Sequence, residues 1–207
     1  MESRRFAIPC SFLLLTFLLL ISNIHTTSAE TTATAAKSNS LKIYKKFIKT
    51  SCNATTYPSL CYKYLSSYAN SIKTDSLNLC KAALVVNLKA AGKTSSLLRS
   101  IARKGLHPAE KAVMKDCIEE IDDSVYELKQ ASNIMGKLKG SDLANQIDDI
   151  KTWVSAAITD EETCTDGFDE EEMKIRASVQ NQIRKNVVNL GKVTGNTLAL
   201  IINRFRF

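Results

Sequence analysis

The sequence predicts an all-α protein: an up-down-up-down four-helix bundle preceded by a short N-terminal helical hairpin and tied by two disulfides. Three observations carry this expectation. Only 7 Gly and 3 Pro occur in 207 residues, too few turn formers for a many-stranded sandwich or barrel. Apolar residues recur at steps of three and four through four long segments, the period of helices with one buried face. A composition of 44% hydrophobic and 24% charged residues suits a single core of ordinary size.

Residues 1–29 have the make-up of a targeting segment. Arg4 and Arg5 precede an apolar run from Phe6 to Ile24, and Thr27-Ser28-Ala29 offers small residues for cleavage, the pattern of a secretory signal peptide. The run is short for a spanning helix, and no other segment is apolar enough to cross a bilayer, so no membrane association is expected after cleavage. A Thr/Ala/Ser/Asn-rich stretch at 30–40 reads as a flexible lead-in to a domain at 41–207.

The elements follow in order. Leu41, Tyr44, Phe47 and Ile48 give a short apolar face, a turn spans Ser51 to Pro58, and Leu60, Cys61, Tyr64, Leu65 and Tyr68 continue at helical spacing. Pro58 suits a first helical turn, so Cys52 and Cys61 face each other across a small hairpin. Within its turn, Asn53-Ala54-Thr55 is a candidate N-glycosylation site at Asn53. Thr74 or Asp75 caps a long helix with the stripe Leu77, Cys80, Leu84, Leu88, Ala91, Leu98 and Ile101, ending near Gly105.

Pro108 opens the next helix, striped by Val113, Cys117, Ile121, Val125 with Leu128, Ser132 and Met135, and Gly140 stops it. Ser141 or Asp142 caps a third, with Leu143, Ile147, Ile150, Val154 and Ala157 buried beside Trp153 and a loop from Thr163 to Asp169 at its end. The last helix repeats Val179, Ile183, Val187, Leu190, Thr194, Thr197 and Ile201, and Gly191 and Gly195 either let a neighbouring helix approach closely or are simply tolerated on a surface.

Charge is distributed in blocks. Cleavage after Ala29 leaves 26 basic and 20 acidic residues, a net +6. Residues 30–115 carry +12, residues 116–172 carry −13 and residues 173–207 carry +7. Either the blocks interleave when the helices pack, or they make separate surfaces for anionic and cationic partners.

Secretion leaves Cys52, Cys61, Cys80, Cys117 and Cys164 in an oxidising compartment, an odd number, so the expectation is two disulfides and one thiol. The free thiol is most simply Cys80, on an apolar stripe where a cysteine acts as a small hydrophobe. No metal site is expected: the cysteines lack zinc-knuckle spacing and His107 is the only mature histidine.

Catalytic groupings are equally hard to assemble. His107 lies in a Gly-Leu-His-Pro turn that suits helix entry, and the pairs Asp122/Asp123 and Asp148/Asp149 diverge as helical neighbours. Gly-rich phosphate loops and dinucleotide fingerprints are absent, and the basic blocks lack the motifs of nucleic-acid readers, so neither cofactor nor nucleic-acid partner is expected.

Cys52-Asn-Ala-Thr-Thr-Tyr-Pro-Ser-Leu-Cys61, the lone Cys117, and Thr152-Trp-Val-Ser-Ala-Ala-Ile-Thr159 running into Thr163-Cys-Thr-Asp-Gly-Phe168 together resemble the plant invertase and pectin methylesterase inhibitor family over residues 41–207. The resemblance implies disulfides Cys52–Cys61 and Cys117–Cys164, with Cys80 left over. It also implies an inhibitor that lays bundle helices across the substrate cleft of its enzyme, with Glu119, Asp123, Thr163 and Asp166 at the enzyme-facing positions. Some relatives differ where Glu120 and Tyr126 stand.

A Pro-Lys-Phe motif common among invertase inhibitors is absent from Phe168-Asp-Glu-Glu-Glu-Met-Lys-Ile175, which points to pectin methylesterase rather than acid invertase as partner. Because the chain ends after the bundle, no attached catalytic domain is expected. The reading from a different class is a pectin-binding wall module whose basic segments hold polygalacturonate.

Overall fold

The computed structural model describes residues 37–168 and 176–206, so the signal-peptide segment and most of the lead-in lie outside the described residues. The chain forms two compact units, Met1–Ile43 and Tyr44–Phe207. In the first, residues 37–43 are helical, including 37–40 of the expected lead-in.

The second unit is helical throughout its described length apart from turns. Helix α1 (residues 44–52) and α2 (Pro58–Leu65) form the hairpin, followed by a single 3-10 turn (Ser66–Tyr68) and the short α3 (Ala69–Ile72). Cys52 and Cys61 are bonded across the hairpin, and Pro58 begins α2 as anticipated. Asn196 of the last helix then fastens the hairpin to the bundle. Its buried amide accepts from the Tyr57 N–H at 2.9 Å and donates to the Tyr57 carbonyl at 3.0 Å, so both backbone groups at the start of α2 are satisfied.

The bundle is α4 (Ser76–Ala102), α5 (Pro108–Gly136), α6 (Leu143–Asp166) and α7 (Ala177–Arg204). Contacts run in a ring, α4 with α5, α5 with α6, α6 with α7 and α7 back to α4. Leu84, Leu98, Ile121, Leu128, Ile147, Ile150, Val154, Ile183 and Ile201 are fully buried along the axis. Full burial of each large apolar side chain contributes roughly 1.5–3 kcal/mol, so the stripes rather than helix propensity hold the bundle together.

Asp75 is the N-cap of α4, and its side chain accepts from the Asn78 N–H at 2.8 Å. Asp75→Ala is expected to cost about 1 kcal/mol in urea unfolding without changing helix content at low denaturant. Asp142 holds the N-cap position of α6, but its carboxylate accepts from the Asn145 side chain instead of a backbone N–H. At the start of α5, His107 is the N-cap before Pro108, and Glu110 Oε2 accepts from the His107 N–H at 3.0 Å.

Glu110 reaches further. Its Oε1 accepts from the Arg176 N–H at 3.0 Å and Nε at 2.8 Å, and its Oε2 from Arg176 Nη2 at 2.8 Å, tying the start of α5 to the N-cap residue of α7. The Arg176 hydrogen bonds hold this buried carboxyl down at about 2.

Four expectations need correction. The third bundle helix does not end at Thr163; α6 continues through Asp166, because the Thr163 and Thr165 hydroxyls donate to the Thr159 and Glu162 carbonyls and stay satisfied inside the helix. Helix α5 ends at Gly136, and Gly140 sits beyond it at φ 79°, in a turn that favours glycine. On α5 the fully buried positions are Ser124 and Ala131 rather than Val125 and Ser132, since a 3.6-residue period drifts against alternating steps of four and three. Finally, Gly191 and Gly195 do not permit an unusually close helix approach. A Cβ at 191 would meet only Glu161 Oε2, at an ordinary 3.6 Å, and one at 195 would meet open space.

Candidate functional site

The ring of contacts decides how the charge blocks pack. Helices α4 and α7 carry four basic residues each and no acidic one, while α5 and α6 together carry 13 acidic and 4 basic residues. Since α5 adjoins α6 and α7 adjoins α4, like-charged helices are neighbours and the molecule has an acidic side and a basic side. The blocks do not interleave.

Within the acidic side, Cys117 of α5 and Cys164 of α6 are bonded. Glu119 and Asp123 lie four residues apart on α5 just beyond this bridge, and Thr163 and Asp166 flank it on α6. All four side chains are exposed, on two helices locked side by side. Cys80 is unbonded and buried, its Sγ 3.6 Å from the Leu200 carbonyl, and burial pushes its thiol up to about 12, which makes it a poor nucleophile. Asn53 is exposed in the hairpin turn.

The adjacent aspartates separate as their helical positions require. Asp122 turns to α4, where it accepts from Ser95 Oγ at 2.7 Å and pairs with Arg99, whereas Asp123 faces solvent. Asp148 pairs with Lys151 at 3.0 Å.

Three further features of the bundle lie outside the four residues that the sequence assigns to the enzyme-facing surface. Glu120 and Glu127 of α5 and Asp160 of α6 are half-buried along the seam between the helices. Burial first, and then the charges of Asp160, Asp123, Glu119 and Asp116, raise Glu120. Burial first, and then the neighbouring Asp160 carboxyl, push Glu127 up to about 8, and burial raises Asp160 as well. Acidic residues at 116, 120, 123 and 127 were visible as one helical edge; their partner across the seam was not.

Tyr126 and Trp153 form the second feature, meeting edge to face across the same helix pair with centroids 6.2 Å apart. Tyr126 remains 56% exposed, so the acidic side carries an aromatic ring open to solvent.

The third is internal. Asn87 of α4, Ser124 of α5, Glu161 of α6 and Thr194 of α7, one residue from each bundle helix, form a buried polar layer. Glu161 Oε1 accepts from Ser124 Oγ at 2.9 Å and lies 2.8 Å from Thr194 Oγ1, which is also 3.1 Å from Asn87 Oδ1. Burial outweighs these bonds and pushes the Glu161 carboxyl up to about 8. Its position was legible, since the stripe 147, 150, 154, 157 continues to 161 and 164.

This architecture and its sequence signals match a known group. The family model for plant invertase/pectin methylesterase inhibitors matches residues 46–200. The chain belongs to that family. Similar proteins include Pectinesterase inhibitor 11 of Arabidopsis thaliana, 38% identical over 190 residues that cover 89% of this chain and 92% of that one. Pectinesterase inhibitor 4 of the same plant is 36% identical over 159 residues, covering 75% and 79% of the two chains. The 21 kDa protein of Daucus carota is 38% identical over 162 residues, covering 76% and 83%.

A crystal structure of a pectin methylesterase inhibitor from Arabidopsis thaliana superimposes with a TM-score of 0.53 at 22% identity, covering 77% of this chain and 97% of that one. At that identity the likeness shows the shared helical fold. Within the family, the bonded pairs Cys52–Cys61 and Cys117–Cys164 fall at the signature cysteines from which the resemblance was drawn. Among the described residues, no helix is long and apolar enough to cross a membrane.

Proposed function

We propose that this chain is a secreted, non-covalent, stoichiometric inhibitor of plant pectin methylesterase, acting in the cell wall. The observation that carries the proposal is the acidic α5–α6 side, on which Glu119, Asp123, Thr163 and Asp166 are exposed beside the Cys117–Cys164 bridge. The names of its relatives as pectinesterase inhibitors support the choice of target.

The mechanism is occlusion. A cleft that processes pectin must accommodate a polymer bearing carboxylates, and a rigid pair of acidic helices presents fixed negative charge to the same surroundings. Complementary charge speeds encounter and fixes register, while Tyr126 supplies apolar contact once water is excluded. No side chain on this face is asked to react. Pre-organisation by the disulfide limits the entropy lost when the face is covered.

The test is a titration of the mature protein against one plant pectin methylesterase and one acid invertase. The expected result is saturable one-to-one loss of esterase activity with invertase unaffected; the reverse pattern would assign the protein to the family's other target. In the same assay, Asp123→Lys with Asp166→Lys should weaken esterase inhibition by at least about tenfold, mostly through slower association, because charge reversal at an interface rim acts chiefly on encounter. Melting should barely change, since both residues are exposed. Full inhibition by this folded double variant would move the contact surface off the acidic side.

A further inference from the structure

We propose that the groove between α2, α4 and α7 binds a linear polyuronate, a sugar chain carrying one carboxylate per residue, through its lysine rim and tyrosine walls. The groove lies on the basic side of the bundle and encloses about 480 Å³, within the range of small-ligand sites, roughly 300–1,000 Å³. Its rim carries Lys63 of α2 and Lys89 and Lys93 of α4, and no carboxylate lines it. None of the three lysines forms an ion pair with a described carboxylate. A basic cleft without an internal counter-charge attracts anions from solution.

The arrangement of the charges favours a chain over a single compact anion. Lys89 and Lys93 are four residues apart on one helix, about 6 Å along its axis, with Lys63 on a different element. These are separate point charges strung along a trough. A phosphate site would instead converge backbone N–H groups or a bidentate arginine on one position, and no arginine lines this groove.

The remaining lining suits a sugar. Tyr64 and Tyr68 present ring surfaces, and Asn186 and Asn189 add amides that both donate and accept. These groups are already positioned. Asn189 Nδ2 donates to Tyr64 Oη at 3.1 Å, and Lys89 Nζ donates to Tyr68 Oη at 3.2 Å while lying 5.5 Å from the centre of that ring. Buried Val86 and Leu190 make an apolar floor on which the C–H face of a pyranose can rest. The preference for anions follows from the groove alone; the choice of a wall polyuronate as source rests on the inhibitor reading above.

The groove lies on α4 and α7, across the bundle from α5 and α6, so both surfaces can be occupied at once. An inhibitor held on de-esterified pectin by one side would keep its acidic side available to the enzyme that produces such carboxylates.

Calorimetric titration of the mature protein with galacturonic-acid oligomers of defined length, at low ionic strength, tests this without any esterase present. Expected is saturable binding to the free-acid oligomer and binding about tenfold or more weaker to the fully methyl-esterified oligomer of equal length. Lys89→Gln with Lys93→Gln should lose about tenfold in affinity, the sum of two exposed charge pairs. Lys49→Gln with Lys104→Gln, exposed lysines outside the groove, should leave affinity within about twofold. Melting curves establish that each variant is folded, and Lys63→Gln alone gives an independent reading of the same rim.

Equal losses from the groove and control variants would reduce the interaction to diffuse charge and overturn the site. Equal binding of esterified and free-acid oligomers, or no binding of either, would overturn the ligand class, as would tighter binding of an acidic peptide or oligonucleotide of matched charge. Esterase inhibition by the Lys89→Gln/Lys93→Gln variant is measured separately and should be unchanged, so failure of the groove and failure of the inhibitor reading give different results.

Discussion

The Cys117→Ala/Cys164→Ala double variant is expected to lose about 4 kcal/mol of unfolding free energy, against about 2.5 kcal/mol for Cys52→Ala/Cys61→Ala. The difference comes from the unfolded chain. The first bridge closes a sequence separation of 47 residues and the second one of 9, and closing the longer loop removes more conformational freedom from the denatured ensemble. Replacing both partners by alanine avoids leaving a lone thiol free to pair with Cys80, and avoids burying a serine hydroxyl where both sulfurs are almost inaccessible.

Urea unfolding followed by circular dichroism checks both variants, with peptide mapping under nonreducing conditions to verify the pairing. An unchanged midpoint for the 117/164 variant would show that the α5–α6 pair is held by packing alone. That outcome would also weaken the proposed mechanism, because the bridge is what fixes the two halves of the acidic side relative to each other.

Helix identities were legible because each stripe is set by local period. Val179, Ile183, Val187, Leu190, Thr194, Thr197 and Ile201 all lie on the inward side of α7, including two threonines that hydropathy alone would place outside. Helix ends were less legible where polar side chains satisfy backbone groups in either conformation. Thr163 and Thr165 do this at the end of α6, so a threonine-rich stretch that reads as loop remains helix.

The charge blocks were visible in the chain, but segregation depends on which helices become neighbours. A ring order placing α6 between two basic helices would have cancelled the same charges. Contacts across the seam, such as Tyr126 with Trp153 or Glu127 with Asp160, join residues 27 or more positions apart and carry no local signal. Glu161 is a different case. It occupies a stripe position in plain view, yet its role depends on Ser124 of α5 and Thr194 of α7, and through Thr194 on Asn87 of α4.

That buried carboxyl leads to the second large effect, a loss of stability as pH rises. Glu161 is raised from an ordinary 4.5 to about 8 in the fold, so between those values the native state holds a proton that the unfolded chain has released. Its contribution is therefore fully present below about pH 4.5 and is lost as pH rises through about 8. Over that interval the slope reaches roughly 1.4 kcal/mol per pH unit for this one group. Glu120, Glu127 and Asp160 are shifted in the same direction and add to the slope, whereas Glu110, held at about 2, opposes it only at the acidic end of the interval, where the unfolded carboxyl still binds protons.

Glu161→Gln isolates the term. The amide keeps an oxygen acceptor for Ser124 and Thr194 and cannot ionise, so the variant should match the parent within about 1 kcal/mol near pH 4.5 and exceed it clearly at pH 8. Denaturant unfolding at half-unit pH steps measures the two curves. Glu127→Gln provides the comparison at the helix seam, flattening the part of the slope that the raised Glu127 carboxyl supplies. Parallel curves for parent and Glu161→Gln across this range would mean that Glu161 ionises inside the bundle with compensation from groups other than Ser124 and Thr194. A bundle with the expected slope is most stable under acidic conditions, because the polar layer at its centre is then neutral and hydrogen-bonded to all four helices.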